Sequence, residues 1–229
     1  MGIYAISDLH LDCTGKKPMH VFGDNWMNHA DKIKSNWEHT VAEKDTVLLP
    51  GDLTWALPRK AAEPDLRWIN DLPGHKIVVE GNHDFFWDGT KKLNATYDNI
   101  TFLKCSHTIC EGFGICGTRG WILPDYPNFT SHDKKIYNRE LNRLKLSLGS
   151  AVKEGMQKII VMMHFPPSNR SGHSGFIDLI QQYPVWQVIY GHLHSESEFD
   201  TSIRGEHKGI VFRLVSADYL DFSPILIMK

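Results

Sequence analysis

The chain has 229 residues, of which 41% are hydrophobic and 23% are charged, and its formal net charge is −2 at pH 7. These values are ordinary for a soluble globular protein, and the length allows a sizeable buried core. The near-neutral charge gives no electrostatic footprint for nucleic acid, and no apolar run approaches membrane-spanning length. We therefore expect neither a nucleic-acid-binding protein nor a membrane protein. Without linkers or repeats, we predict a single domain over residues 1–229.

The cysteines indicate a reducing compartment. They form no C-x-x-C pair and no spacing typical of a disulfide framework, so we expect reduced thiols. The amino terminus reaches Asp8 too soon for a secretory signal peptide. We therefore predict a cytoplasmic protein. The four cysteines are Cys13, Cys105, Cys110 and Cys116.

The first hundred residues alternate apolar runs with helical patterns. Short apolar runs at 2–7, 46–49 and 76–79 predict strands. Apolar spacing and Pro-Gly breaks predict helices near 26–42 and 59–71. This alternation favours a parallel or mixed sheet with helices packed on it.

The middle third of the chain lacks this alternation. Residues 100–118 predict short strands separated by turns, without helices between them. Residues 117–127 form a predicted loop rich in Gly, Pro and aromatic residues. A long helix is expected from about residue 131, where Thr130 and Asp133 resemble a capping box.

The last third returns to apolar runs typical of strands. Residues 159–163 and 185–190 predict buried strands, each followed by histidine. Residues 210–215 and 225–228 are two further strand candidates, and we expect both to complete a second sheet.

Five of the predicted strands end in acidic residues, asparagine or histidine. The carboxyl ends of strands are where α/β proteins place their functional sites. Any one Gly-Asp pair or histidine is most often a turn or an ordinary side chain. Five such endings at the same structural position are not expected by coincidence. The segments are Asp8-Leu9-His10, Gly51-Asp52, Gly81-Asn82-His83-Asp84, His164 and Gly191-His192-Leu193-His194.

This mixture of oxygen and nitrogen donors predicts a pair of divalent metal ions. Imidazole suits late metals and carboxylate suits harder ions, so Mn, Fe or Zn fits better than Ca or Mg alone, with Mn the first expectation. Asp8 with His10, and His192 with His194, are alternate residues that project the same way from an extended chain. Two ions ~3.5–4 Å apart can clamp the attacking and leaving oxygens of a phosphoryl transfer.

In its order D-x-H, G-D, G-N-H-D, H and G-H-x-H, the chain resembles the calcineurin-like metallophosphoesterase superfamily from Asp8 to His194. The resemblance implies an α/β fold: a four-layer α/β/β/α sandwich of two mixed sheets flanked by helices. It also implies a metal-dependent phosphohydrolase with a small phosphate ester as its substrate.

The resemblance implies a role for each polar residue. Asp52 would bridge the two metals, His83 would be the catalytic histidine and Asp84 would orient it. The remaining ligands would be Asp8, His10 and His194 for one metal, and Asn82, His164 and His192 for the other.

The implied reaction is hydrolysis of a phosphodiester or a phosphomonoester. Metals lower the pKa of bound water from ~15.7 towards ~7, so that a metal-bridging hydroxide attacks phosphorus in line. His83 would protonate the leaving oxygen or stabilise charge on the phosphoryl oxygens. The oligomeric state is left open.

Two subfamilies are excluded by the residues after Asp52. Phosphoprotein phosphatases resemble one another in a G-D-x-x-D-R-G block, and this chain has neither the second Asp nor the Arg. Purple acid phosphatases place a tyrosine ligand three residues after the bridging Asp, where this chain has Trp55. A phosphodiesterase and a phosphomonoesterase both remain open.

Substrate contacts are expected from the loops at 117–127 and 165–176. Arg119 and Arg170 are candidates to hold phosphate oxygens, because arginine offers a planar bidentate fork. His173 is a third candidate in the second loop. For each of them, an ordinary surface residue is the alternative interpretation.

The alternative to an enzyme is a scaffold or binding protein that keeps the fold and has lost the chemistry. Such relatives typically lose metal ligands or the catalytic histidine, and this sequence retains every one of those positions. A structural zinc protein is disfavoured because the cysteines are absent from the polar set.

Overall fold

The computed structural model describes residues 1–57 and 59–229, so Pro58, which precedes the predicted second helix, lies outside the described residues. Two mixed β-sheets stack on each other, and helices cover their outer faces. This arrangement confirms the predicted four-layer α/β/β/α sandwich.

The first sheet contains five strands in the order β11-β1-β2-β3-β4. Neighbouring strands from β1 to β4 are parallel, and β11 is antiparallel to β1. Its strands are β1 (Ile3–Ala5), β2 (Thr46–Leu49), β3 (His75–Val78), β4 (Ile100–Phe102) and β11 (Ile225–Met228).

The second sheet contains six strands in the order β5-β6-β7-β8-β10-β9. Its four central strands are parallel, and the two edge strands β5 and β9 are antiparallel to their neighbours. Its strands are β5 (Thr108–Cys110), β6 (Phe113–Thr118), β7 (Ile159–Met163), β8 (Val185–Tyr190), β9 (Gly205–His207) and β10 (Ile210–Leu214).

Six α-helices and two short 3₁₀ turns connect the strands in the described part of the chain. The 3₁₀ turns are Met19–Phe22 and Asp24–Trp26. The α-helices are α1 (His29–Thr40), α2 (Arg59–Asp71), α3 (Thr90–Asn94), α4 (Ser131–Lys153), α5 (Gly175–Ile180) and α6 (Glu196–Phe199).

Three apolar cores hold the layers together. On β2, Val47 and Leu49 pack with Trp37 of α1, whereas Leu48 packs into the core between the two sheets. Leu144 of α4 lies in a third core on the outer face of the second sheet. Because both faces of each sheet are covered, the buried strands consist of consecutive apolar residues and do not alternate apolar with polar ones.

The longest helix, α4, begins where the sequence predicts. The Thr130 hydroxyl accepts a hydrogen bond from the Asp133 backbone N–H, and the Asp133 carboxylate accepts one from the Thr130 backbone N–H. This is the predicted capping box, which satisfies two otherwise unpaired donors. Across the described residues no helix, α4 included, combines the length and apolar character needed to cross a bilayer.

The prediction that residues 225–228 complete the second sheet is wrong. After β10 the chain crosses to the first sheet, where Ser216 forms an isolated bridge with Ser7. The following turn brings β11 beside β1, with Leu226 opposite Tyr4. There β11 covers an edge of the first sheet that would otherwise present unpaired backbone groups.

Candidate metal centre and active site

The predicted ligands meet where strands of both sheets end. β1, β2 and β3 approach from the first sheet, and β7 and β8 approach from the second. The bridge between Ser7 and Ser216 joins the two sheets at this edge. The side chains form one continuous set of contacts: Asp8, His10, Asp52, Asn82, His164, His192 and His194.

One group of donors lies around His194. Its Nε2 atom is 3.2 Å from Nε2 of His10 and 3.7 Å from Oδ1 of Asp8. The ligand atoms of these three residues all lie within 4.8 Å of one another. Asp8 and His10 are buried, so an ion here would sit at the base of the site.

A second group of donors surrounds Nε2 of His164, which is fully buried. This atom lies 2.6 Å from Oδ1 of Asn82, 3.2 Å from Nδ1 of His192 and 3.4 Å from Oδ2 of Asp52. Two imidazoles, an amide oxygen and a carboxylate therefore face the same point.

Asp52 stands between the two groups. Its Oδ2 atom is 3.8 Å from Nε2 of His10 and 3.4 Å from Nε2 of His164. Its Oδ1 atom accepts a hydrogen bond of 2.8 Å from the His83 backbone N–H. One carboxylate oxygen thus faces both donor groups while the other is held by the backbone, which is the geometry that a bridging ligand requires.

The donor set fits divalent ions because the outer hydrogen bonds fix the histidine rings. Nδ1 of His164 lies 3.1 Å from the Pro50 carbonyl oxygen, and Nδ1 of His194 lies 3.0 Å from Oδ1 of Asp218. Both acceptors require a proton on Nδ1, which leaves the Nε2 lone pairs directed into the cluster. Metal–nitrogen bonds of ~2.0–2.1 Å place neighbouring donors about 3–3.5 Å apart, close to most of the separations found here.

Burial without a cation shifts the charge states of the ligands. It raises the pKa of Asp8 and raises the pKa of Asp52 well above its usual range, with Asp84 and Asp8 adding to the latter. Burial lowers the pKa of His164 well below its usual range and that of His192 to about 3. Buried carboxylates beside neutral imidazoles form a site whose charge a bound cation would balance.

His194 differs from the other histidines. Burial opposes its charged form, but the hydrogen bond to Asp218 and the charge of Asp8 outweigh burial and raise its pKa. Asp218 therefore makes this ring a more basic donor than its neighbours.

Several of the predicted ligand residues have strained backbones. The φ angles of Asp8, His10, Asp52 and His192 are +57°, +43°, +54° and +75°, all in the left-handed region that side chains disfavour. Such conformations cost of order 1–3 kcal/mol each and persist where the surrounding structure fixes them, often at functional sites.

The glycines that precede the histidine motifs allow close approach of the backbone. A Cβ on Gly81 would overlap Oδ1 and the backbone nitrogen of Asp52. A Cβ on Gly191 would overlap the Asp8 carboxylate and the Ser7 hydroxyl. Neighbouring strand ends can therefore converge on the donor set only if these positions lack side chains.

His83 stands beside the donor groups in a cavity of about 480 Å³. Its ring centroid lies 4.0 Å from that of Trp55 and 5.8 Å from that of His10. Burial, with smaller contributions from Lys17 and His194, lowers the pKa of His83 to about 4. At neutral pH its ring is neutral, with one N–H to donate to a bound oxygen.

The Asp84 carboxylate, which is predicted to orient the His83 ring, is held by backbone N–H groups, and the orienting role stays a prediction. Oδ2 of Asp84 accepts hydrogen bonds from the backbone N–H groups of Asp52 (2.9 Å) and Gly81 (2.8 Å), and Oδ1 accepts one from Leu53 (2.8 Å). Burial raises the pKa of Asp84 to about 7, and these three donors oppose that rise. Through these hydrogen bonds Asp84 ties the loop after β2 to the loop after β3.

Arg119, a candidate phosphate contact, has partners of its own, and its contact with phosphate stays a prediction. A guanidinium nitrogen lies 3.8 Å from Oε1 of the buried Glu140, and the group stacks 4.8 Å from the Trp121 ring centroid. The backbone of Arg119 does support the site, since its carbonyl oxygen accepts a 3.1 Å hydrogen bond from the His164 N–H. The guanidinium charge, which a bound phosphate would need, lies next to the buried carboxylate of Glu140.

The other two proposed substrate contacts lie on the surface. Arg170 is exposed and pairs with Asp200, with Nη2 3.3 Å from Oδ2. His173 is exposed on the loop before α5 and is not among the described residues that line the cavity containing His83. These positions are those of the alternative interpretation, ordinary surface residues, and contact with substrate stays a prediction for both.

Two residues of the site were not selected from the sequence. The Trp55 ring stacks on His10 at 4.7 Å with an interplanar angle of 20°, and Asp218 holds His194. Asp218 follows the end of β10, so treating that strand like the other five would have identified it. For Trp55 the signal is its place three residues after Asp52, where purple acid phosphatases have a tyrosine ligand.

A profile of the calcineurin-like phosphoesterase family matches residues 1–196. The chain belongs to this family. Members of this family are expected to use divalent metals, and two groups of side chains, Asp8, His10 and His194, and Asp8, Asp52 and His164, are candidate sites for them.

The chain is also similar to the Gene 66 protein of Mycobacterium phage L5, with 32% identity over 78 residues. That match covers 34% of this chain and 37% of the phage protein, so it spans little more than a third of that protein's length.

Two solved structures share the fold. The protein of unknown function AQ665 from Aquifex aeolicus aligns with a TM-score of 0.51 and 21% identity, covering 98% of this chain and 95% of that chain. Phosphopantetheinyl hydrolase from Mycobacterium tuberculosis aligns with a TM-score of 0.51 and 14% identity, covering 94% and 88%. At these identities the likeness shows a common fold alone.

Proposed function

We propose that this phosphoesterase is a hydrolase of phosphoric esters that works with two divalent metal ions. The observation that supports it best is the position of Asp52, whose Oδ2 atom faces both donor groups. Asp8, His10 and His194 would hold one ion, whereas Asn82, His164 and His192 would hold the other. Manganese is the first expectation, with iron or zinc as alternatives.

Bound ions would supply two kinds of chemistry, a water molecule of lowered pKa and neutralisation of phosphate charge. The chain's own residues do the rest. Asp218 and the Pro50 carbonyl oxygen fix the rings of His194 and His164, so the donors need no rearrangement when ions bind.

His83 has a separate part in the proposed reaction. It lies outside both donor groups and lines the cavity beside them. Because its ring is neutral near pH 7, its N–H donates a hydrogen bond to the phosphoryl or leaving oxygen as negative charge develops there. Phosphate arriving beside the ring would favour its protonated form and thus proton transfer to the leaving oxygen.

The structural neighbour named phosphopantetheinyl hydrolase is consistent with hydrolysis of a phosphoric ester. The convergence of all seven ligand positions argues against the scaffold alternative, in which ligands would be lost. The single domain, the cytoplasmic location and the use of manganese stay predictions.

The proposal is tested by metal analysis together with hydrolysis assays. Purified protein should contain close to two divalent ions per chain and, with added Mn²⁺, should hydrolyse bis(4-nitrophenyl) phosphate, 4-nitrophenyl phosphate or both. Asp52→Asn, which removes the shared carboxylate charge, should lower metal content and activity together. Protein that binds no divalent ion, or that binds ions and cleaves neither ester, would refute the proposed function.

A further inference from the structure

The metal centre lies between two cavities. The first, which we name the aromatic cavity, has a volume of about 480 Å³ and is lined by Phe22, Trp26, Trp55 and His83 among others. The second, which we name the loop cavity, has a volume of about 350 Å³ and lies between the 121–127 and 165–169 segments. The proposed ligand His192 lines both. A phosphate held at the metals would thus have open space on two sides.

Both cavities have walls suited to organic groups. In the aromatic cavity the Phe22 and Trp55 rings are nearly parallel, with an interplanar angle of 7° and centroids 6.2 Å apart. In the loop cavity the ring centroid of the buried Phe165 lies 4.0 Å from that of His192 and 5.2 Å from that of Trp121. Flat aromatic and apolar surfaces of this kind bind rings and hydrocarbon better than they bind water.

The charges around the site favour a substrate with little negative charge. Of the described residues that line either cavity, none is lysine or arginine, whereas Asp125, Glu198 and Asp218 are among them. Lys17 lies nearby, with Nζ 5.5 Å from the Trp55 ring centroid, but it is exposed to solvent. The residues near the metals therefore offer no buried arginine clamp for a dianion.

The charge balance at the metals leads to the same result. Two divalent ions would bring four positive charges, and the three carboxylates Asp8, Asp52 and Asp218 together with the attacking hydroxide would neutralise all four. A phosphomonoester carries close to two negative charges above its second pKa of ~6. A phosphodiester carries one, so it leaves less uncompensated negative charge at the site.

We propose that the substrate is a phosphodiester with an organic group in each cavity. This inference rests on the proposed function and narrows it. His83 lines the aromatic cavity and is not among the described residues of the loop cavity, so the leaving group lies in the aromatic cavity. The second substituent lies in the loop cavity and stays on phosphorus.

The reaction balances as a hydrolysis. The bond between phosphorus and the leaving oxygen breaks, and a bond between phosphorus and the oxygen of water forms. The water loses a proton, and the leaving oxygen gains one by way of His83. The products are an alcohol, released from the aromatic cavity, and a phosphomonoester whose organic group occupies the loop cavity.

The first test compares a diester with a monoester that share one leaving group. The metal-loaded protein should have a kcat/KM for thymidine 5′-(4-nitrophenyl) phosphate at least 100-fold above that for 4-nitrophenyl phosphate. Thr201→Trp places a large ring at an exposed position that lines the loop cavity. It should lower the ratio of these two constants at least tenfold, whereas Ser35→Trp, an equal change on the exposed side of α1, should not alter the ratio.

The second test measures binding without turnover. Tryptophan fluorescence reports on both cavities because Trp26, Trp55 and Trp121 line them. Diphenylphosphinate should bind at least tenfold more tightly than phenylphosphonate at pH 8, since the P–C bonds of both probes resist hydrolysis, and Thr201→Trp should reduce that difference.

The outcomes separate this inference from the proposed function. Protein that prefers the monoester, with a ratio insensitive to Thr201→Trp, would overturn the diester assignment and leave the phosphoesterase proposal standing. Equal binding of diphenylphosphinate and phenylphosphonate would also overturn it. Protein that cleaves neither ester would overturn both.

Discussion

His83 and the proposed ligands differ in what surrounds them. Nε2 of His164 lies within 3.4 Å of three other donors, whereas the nearest ring to His83 is the indole of Trp55 at 4.0 Å. The only tie between His83 and Asp52 that the described residues show is a backbone hydrogen bond. A side chain in that position can act on substrate without holding metal.

His83→Ala should therefore retain both metal ions and lower kcat by ~10²–10⁴, the usual contribution of a general acid or a hydrogen-bond donor to the leaving oxygen. Metal content by elemental analysis and steady-state kinetics on the same preparation check this. Loss of metal from the variant would show that His83 is a ligand and would contradict the division of roles proposed here.

Asp218→Ala should weaken metal binding ~10–100-fold, because the carboxylate fixes the tautomer and orientation of His194. Titration with Mn²⁺ should show the loss, and saturating metal should restore most of the activity. Asp221→Ala, three residues further along on an exposed turn, is the matched control. A variant with wild-type metal affinity and low kcat would place Asp218 in contact with substrate instead.

The sequence predicts those site residues that directly follow an apolar strand. The strand itself positions such a residue, so the sequence alone indicates that the five motifs meet. Residues whose role depends on distant partners could not be assigned. Arg119 is held by Glu140 on α4, and Asp84 is held by Leu53 on another loop. Neither partner has a fixed spacing in the sequence.

At the scale of elements, the buried sandwich explains which predictions succeeded. Strands covered on both faces show uninterrupted apolar runs, and α4 shows its capping box, so their limits were predicted within a few residues. The short elements α3, α5, α6 and β5 contain too few residues to show a period. The pairing of β11 with β1 joins the two ends of the chain, and no local pattern encodes it.

Asp45, just before β2, ties that strand to its surroundings. The buried carboxylate accepts hydrogen bonds from the backbone N–H groups of Gly2 (2.7 Å) and Ala42 (3.0 Å). The hydrogen bond from Gly2 is the main reason why the pKa of Asp45 lies below its usual value. Burial opposes this effect, and the bond from Ala42 adds to it. The charged form of Asp45 is therefore favoured in the folded protein. Its contribution to folding stability is fully present above the unfolded pKa of ~3.9 and is lost as pH falls through the lower folded pKa.

Asp45→Asn should lower the free energy of unfolding by about 1–2 kcal/mol at pH 7, because a charged acceptor of two hydrogen bonds is replaced by a neutral one. The difference from wild type should begin to shrink as pH falls below about 4, where the unfolded carboxylate becomes protonated, and should continue to shrink until the lowered folded pKa is passed. Urea denaturation at several pH values measures it, with the exposed Glu43→Gln as the control. A difference that stays constant down to pH 3 would show that the charge does not matter.

For the whole molecule, the site is where two stacked sheets are joined. Strands from both sheets contribute ligands, so metal binding links the first half of the sandwich to the second. In the absence of metal the same place concentrates buried carboxylates, of which Asp8, Asp52 and Asp84 all have raised pKa values because of burial. The donor set therefore opposes folding without metal and favours it with metal.

Metal ions should raise the thermal midpoint of the protein, by the equivalent of about 2.7 kcal/mol at a free metal concentration of 100 times Kd. For Asp52→Asn and wild type, the more stable of the two proteins should depend on whether metal is present. With EDTA the variant should melt above wild type because a buried charge is removed, and with Mn²⁺ it should melt below wild type. Thermal denaturation under both conditions tests this, and a variant that melts below wild type in EDTA would contradict it.

The left-handed backbone at four ligand positions also bears on how such a chain can change over time. His10 and His192 hold conformations that glycine adopts at no steric cost, so substitution there by glycine relieves local strain while it removes a donor. The relief of strain is offset by the contacts that are lost, since the buried His10 ring stacks on Trp55. A copy of the chain that loses its reaction by this route is therefore expected to remain folded.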